Sequence, residues 1–408
     1  MNSPEDDTKL LPGEKLAFTH LDEESEPVRS DAEINKKYAK GEVRIVTETA
    51  RYPLNTIPQM VVSGDYELNP EFQRRHRWSR SRQSRLIESF IMNVPIPPIF
   101  LYENEFSHYQ VMDGLQRLTA IYEFYSNELE LEDLQEWPEL NGRTYKTLPA
   151  QVRRGVDRRY LSSIILLQET AKDTRQAERL KQLVFERINS GGVRLEPQES
   201  RNAIYDGPLN RLCIKLSRNC SLCRMWGIPE PTPDEVLSDG ANVSPDRLNN
   251  PEFRVMKDVE LVLRFFAYRQ RSIHNTNTLS RYHDNFLNYG NKLSPEVLVG
   301  MTQLFEGTVD LVEKLFHEKA FWLLRQRGKG KLRWRQHATT VVYDPLMKVC
   351  SQYLNRSSEL IAKAESLQKR RIELFSTETE LFGGRAVNPA KLEKREKALQ
   401  NLFESELG

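Results

Sequence analysis

The residues with the clearest capacity for chemistry stand in one run, Val111-Met112-Asp113-Gly114-Leu115-Gln116-Arg117-Leu118-Thr119-Ala120, where an apolar stretch turns through glycine straight into a helical pattern. A helix N-terminus offers unpaired backbone N–H groups and about half a positive charge, and glycine lets a phosphate approach the main chain closely. An arginine in the first turn adds a two-pronged fork for phosphate oxygens. Gly114 and Arg117 supply those parts, with the Gln116 amide beside them. Mg²⁺ takes oxygen ligands and bridges one or two carboxylates to phosphates, which makes Asp113 the candidate metal position. Asn189, Gly191 and Gly192 can form a second wall. A plainer account stands beside this one. Asp113-x-x-Gln116 is also a capping box, and Asn189-Ser190-Gly191-Gly192 an ordinary helix stop.

Two basic stretches carry an aromatic residue. One is Arg74-Arg75-His76-Arg77-Trp78 with Arg80, Arg82 and Arg85, and the other is Arg325-x-Arg327-x-Lys329-x-Lys331-x-Arg333-Trp334-Arg335. Either can follow the phosphates of DNA or RNA, with Arg77, Arg80, Arg327, Lys329, Lys331 and Arg333 as contacts. The alternative is a solvated basic face. Cys220-x-x-Cys223 has metal-like spacing, but no second pair accompanies it, so zinc is not expected and a helix with buried thiols is. No Gly-x4-Gly-Lys-Ser/Thr occurs, which excludes P-loop chemistry. Lys plus Arg number 59 against 58 Asp plus Glu, so net charge identifies no partner. With four cysteines, no secretory leader and no apolar stretch long enough to span a bilayer, the chain reads as cytoplasmic with no membrane partner.

Residues 1–45 are polar and read as a partly disordered arm. Beyond it, a short helix near Leu54–Val62 leads to an extended Asp65–Leu68. A helix over Arg80–Asn93 is stopped by Pro95-Ile96-Pro97-Pro98, and Ile99–Tyr102 follows as a strand. His108–Met112 reads as a strand, Leu115–Tyr125 as a helix and Ser163–Leu167 as a strand. This alternation argues an α/β or α+β domain over 46–226. Five prolines among Asp, Asn and Ser mark 227–251 as a linker, and 252–408 reads as nearly all helix, ending in a helix from Pro389 with Leu392, Leu399, Leu402 and Phe403 on one side.

Four ordered motifs carry a family resemblance. Asn69-Pro70-Glu71-Phe72-Gln73-Arg74 comes first, then Leu86-Ile87-Glu88-Ser89-Phe90 leading to Pro95-Ile96-Pro97-Pro98, then Asp113-Gly114-Leu115-Gln116-Arg117, and last Phe185-Glu186-Arg187-Ile188-Asn189-Ser190-Gly191-Gly192-Val193-Arg194-Leu195. Over about 55–270 these resemble the N-terminal domain of the GmrSD-type restriction enzymes, whose signature is Asp-Gly-Gln-Gln-Arg; Leu115 stands at its first glutamine. The resemblance implies a ParB–sulfiredoxin-like domain followed by a mostly α-helical region. It also implies that Gln73, Arg74, Gly114, Arg117, Asn189, Gly191 and Gly192 bind a nucleoside triphosphate, with Asp113, Gln116 and Arg117 catalytic and Mg²⁺ as cofactor. The function expected from it is an NTP-binding, NTP-hydrolysing regulatory module of a prokaryotic anti-phage or restriction system. Its partners would be DNA, a separate nuclease or effector and a second copy of the chain. The rival expectations are a DNA endonuclease that uses this domain itself and a non-catalytic DNA-binding or assembly protein. Residues 252–408 hold only scattered histidines, His274, His283, His317 and His337, so the HNH-like nuclease of larger GmrSD-like enzymes is not expected there.

Overall fold

The computed structural model describes residues 10–16, 30–39, 45–68, 78–167, 180–181, 183–185, 187–188, 196–237, 243–271, 278–326, 332–383 and 389–408. The chain divides into two compact units, one of Asp22–Ile204 and one of Met1–Leu21 with Tyr205–Gly408.

The first unit is built on a five-stranded mixed sheet of β1 (Thr47–Pro53), β2 (Tyr66–Glu67), β3 (Ile99–Glu105), β4 (His108–Asp113) and β5 (Tyr160–Leu166), in the order β1-β5-β3-β4-β2. β1 with β5 and β3 with β4 are antiparallel, whereas β3 with β5 and β2 with β4 are parallel. Helices α1 (Asp31–Ala39), α2 (Ile57–Val62), α3 (Arg80–Met92), α4 (Leu115–Tyr125) and α5 (Ala150–Asp157) accompany it. Strand alternation gives the sheet two apolar faces. Ile99, Leu101, Val111, Leu161 and Ile165 share a core with Leu86, Ile87 and Phe90 of α3 and Leu118, Ile121 and Phe124 of α4. On the other face Met112 and Leu166 meet Phe185 and Ala203.

The helices that frame the site begin and end for local reasons. Ser79 caps α3 by accepting the Arg82 N–H at 3.3 Å, and Asn93, at φ 61°, turns the chain out of the helix before Pro95 is reached. β1 has no counterpart in the sequence reading. Its residues Thr47-Glu48-Thr49 are exposed and polar, so no apolar alternation announces an edge strand held by its pairing to β5.

The second unit is helical around Lys257–Arg269, whose apolar residues are all buried. Leu392, Leu399, Leu402 and Phe403 of the last helix, Pro389–Leu407, are buried as their spacing implied. Three features differ from the sequence reading. The unit includes a two-stranded hairpin, β6 (Trp322–Gln326) with β7 (Leu332–Ala338), within the basic stretch. Residues 227–251, read as a linker, hold the short helices Pro233–Leu237 and Pro245–Asn249 around Arg247, which is fully buried, paired with Glu235 at 3.1 Å and stacked on Phe253 at 4.3 Å. Pro233, Pro245 and Pro251 sit at first helical positions, the last two behind the caps Ser244 and Asn250, where a missing N–H costs nothing. Finally, part of the N-terminal arm joins this unit: buried Glu14 takes a two-pronged ion pair from Arg269 at 3.0 Å, and the Leu16 amide donates to Gln270 Oε1 at 2.9 Å.

Candidate functional site

β4 ends at Asp113, opposite Phe100 of β3, and the chain turns once before α4 begins. That turn is Gly114, at φ 106° and ψ 5°, a conformation that side chains oppose. Space excludes a side chain as well. A Cβ here would lie 2.3 Å from Cγ2 and 2.8 Å from Cβ of buried Ile99, and 3.2 Å from Nη2 of Arg117. Glycine is thus required twice, and the buried turn leads directly into a helix whose first two amides, those of Leu115 and Gln116, have no acceptor within the helix.

The capping-box account of Asp113 does not hold. Gly114 is the N-cap, no side chain caps α4, and the Arg117 N–H bonds the Gly114 carbonyl at 2.9 Å. The left-handed glycine carries Asp113 off the helix axis, so its carboxylate meets the residue four positions on. Arg117 Nη2 donates to Asp113 Oδ2 at 2.6 Å and Nη1 to the Pro97 carbonyl at 3.2 Å. Arg117 Nε is buried and, among the described residues, has no hydrogen-bond partner. Asp113 is 40% exposed against 13% for Arg117, so the carboxylate, not the guanidinium, is the more open group.

Gln116 joins α4 to α3. Its Oε1 accepts the Trp78 backbone N–H at 2.9 Å, tying the first turn of α4 to the residue just before the cap of α3. The indole of Trp78 is covered by Arg82, whose guanidinium carbon lies 4.5 Å from the ring centre, and its Nε1 is buried without a partner among the described residues. Leu115, which replaces the first glutamine of the signature, points away from this cluster and packs into the core at 7% exposure. The departure from the pattern therefore lies behind the turn and leaves the exposed groups unchanged.

Asp113, Gly114, Gln116 and Arg117 are brought together by one strand, one turn and one helix. Gln73, Arg74, Arg77, Asn189, Gly191, Gly192, Arg327, Lys329 and Lys331 lie outside the described residues. Arg80 is exposed at the start of α3 with Nη1 donating to the Glu128 carbonyl at 2.8 Å, and Arg333 is exposed on β7 of the other unit. Trp78, Pro97 and Ile99 were not read as site residues. Pro97 belongs to the Pro95-Ile96-Pro97-Pro98 motif, whereas the roles of Trp78 and Ile99 depend on contacts distant in sequence. For Mg²⁺, no group of three or more His, Cys, Asp or Glu side chains converges among the described residues. Asp113 would hold the ion alone, with a ligand's phosphates and water completing the shell, an arrangement Mg²⁺ accepts.

Residues 57–205 match the model of the family described as GmrSD restriction endonuclease, N-terminal domain. The match ends at Tyr205, one residue past the division between the two units, and is shorter than the span of about 55–270 over which the motifs resemble the family. It suggests a protein of restriction or defence type. No curated protein and no solved structure matches the chain.

Proposed function

Taking as premise that residues 57–205 form a GmrSD N-terminal domain, we propose that this chain is an NTP-binding, NTP-hydrolysing regulatory module of a prokaryotic defence system that acts beside a separate effector. The observation that carries this reading is the Gly114 turn, a left-handed main chain with no side chain, packed on Ile99 and leading directly into the N-terminus of α4, with the partly exposed carboxylate of Asp113 beside it. In it the amides of Leu115 and Gln116 receive phosphate oxygens and Arg117 supplies positive charge. Asp113 both positions Arg117 and offers its second carboxylate oxygen to Mg²⁺, whose contribution when bound is to neutralise phosphate charge. Gln116, fastened to Trp78, keeps the first turn of α4 from shifting when ligand arrives.

Equilibrium binding and hydrolysis of GTP, ATP, CTP and UTP by the full chain, Arg117→Ala and Asp113→Asn form the test. Arg117→Ala should weaken binding by about 1.5–3 kcal/mol, the range for hydrogen bonds to charged groups. Asp113→Asn should keep most of the binding and lose turnover. Full binding in the first variant together with normal turnover in the second would overturn the site. Cleavage of plasmid DNA by the chain alone would move the reading to a nuclease.

A further inference from the structure

The β6–β7 hairpin has one face anchored and one face bare. Its register sets Leu324 opposite Trp334, Arg325 opposite Arg333 and Gln326 opposite Leu332. Leu324 is buried, and Trp334 turns inward to Phe375, at 6.3 Å between ring centres, and to the guanidinium of Arg371 at 5.2 Å. Arg371 is 2% exposed and donates to the carbonyls of Ala320 at 2.9 Å and Lys319 at 3.3 Å, so it joins the root of β6 to the helix Ala364–Thr377. On the opposite face Arg333, Arg335 and His337 alternate along β7, all exposed.

Among the described residues, the arginines of this face lack the counter-charges seen elsewhere in the unit. Residues 321–338 contain no Asp or Glu, and among the described residues neither Arg333 nor Arg335 has a carboxylate partner. By contrast, exposed Arg211 and Arg370 and half-buried Arg356 pair with Asp206, Glu406 and Glu359. Two unmatched guanidinium groups two residues apart on one face of a firmly rooted ribbon suit a polyanion. The face exposes no large apolar residue, which disfavours insertion into a membrane interface. Its aromatic ring is turned inward, where it cannot stack on unpaired bases. What remains is phosphate contact by arginine forks on a two-stranded ribbon, a shape that a duplex groove admits.

We propose that the β6–β7 hairpin is a sequence-independent contact for the phosphate backbone of double-stranded nucleic acid, made through Arg333 and Arg335. It stands on the helical unit and does not depend on the nucleotide reading.

The test is fluorescence anisotropy of the full chain with a labelled DNA duplex, an RNA duplex and the corresponding single strand, across a salt series. Arg333→Gln/Arg335→Gln is compared with the paired-arginine control Arg211→Gln/Arg356→Gln. Removing two phosphate contacts should lower the slope of log affinity against log salt by about two and the affinity at 0.1 M salt on the order of tenfold or more, with the control unchanged. Comparison of the DNA and RNA arms identifies which duplex is bound. An unchanged slope, no duplex binding at low salt, or tighter binding of the single strand would each overturn the proposal. Should the double variant fail to fold, Arg335→Gln alone decides, with an expected slope change of about one.

Discussion

The Arg117 guanidinium lies 2.6 Å from the carboxylate of Asp113, across the single left-handed residue that joins β4 to α4. Through Pro97 the same side chain also holds the segment entering β3, so one group ties together strand, helix and loop. A lysine keeps the charge but cannot place two donors in one plane. Arg117→Lys should therefore lose about 1–2 kcal/mol of stability, roughly one hydrogen bond to a charged group, read from the urea midpoint. An unshifted midpoint would mean that the fork is idle.

Gly114→Ala should be more damaging. A positive φ costs a non-glycine residue about 1–2 kcal/mol and overpacking about 1–3 kcal/mol, so a total of about 2–5 kcal/mol is expected. The clash is with Ile99, so the effects of Gly114→Ala and Ile99→Ala should be less than additive by about 1 kcal/mol. Additive losses would show that backbone strain alone rules out a side chain here.

Gln116 can be tested through what it accepts. Gln116→Ala strands the Trp78 N–H and should cost about 1–2 kcal/mol, whereas Gln116→Glu retains an acceptor and should stay within about 0.5 kcal/mol of the native protein. Denaturant unfolding of both variants measures the difference. Equal losses would assign the effect to side-chain volume instead.

Glu14 is fully buried in its ion pair with Arg269. Removing one partner leaves a buried charge unmatched, and Glu14→Ala should destabilise the helical unit by about 3–5 kcal/mol. Hydrogen exchange in the helix Lys257–Arg269 should accelerate accordingly. Native protection there would show that residues 10–16 are dispensable to that unit.

Alkaline pH should weaken the first unit through Asp157, which accepts hydrogen bonds from Tyr125 at 3.1 Å and Tyr145 at 3.0 Å. Burial, with Asp157 beside them, raises both phenols above the ordinary value of 10.0. The folded state thus retains protons that the unfolded chain releases. This stabilisation is complete below pH 10 and is lost as pH rises further, at up to about 1.4 kcal/mol per pH unit for each group. Tyr125→Phe should flatten the fall in urea midpoint above about pH 10, and an identical fall in the variant would exclude this pair as its source.

Much of the frame around Gly114 was legible because its signals are local. The bounds of α4 follow from an apolar period beginning after glycine, those of α3 from an apolar period followed by prolines, and the GmrSD resemblance from motifs a few residues long. What depended on partners distant in sequence was not legible. β1 is a polar edge strand that exists through its register with β5, and the prolines of 227–251 read as breakers until Arg247 is seen buried among them. The basic stretch near Arg333 becomes a hairpin because its inner face is rooted on Arg371 and Phe375. The clearest case is Asp113. Its spacing to Gln116 satisfies a capping box, but left-handed Gly114, with no room for a Cβ against Ile99 15 residues earlier in the chain, is the N-cap, and the carboxylate goes to Arg117 instead. Residue types and short spacings are written along the chain, whereas the choice between two roles for one carboxylate was made by packing across the sheet.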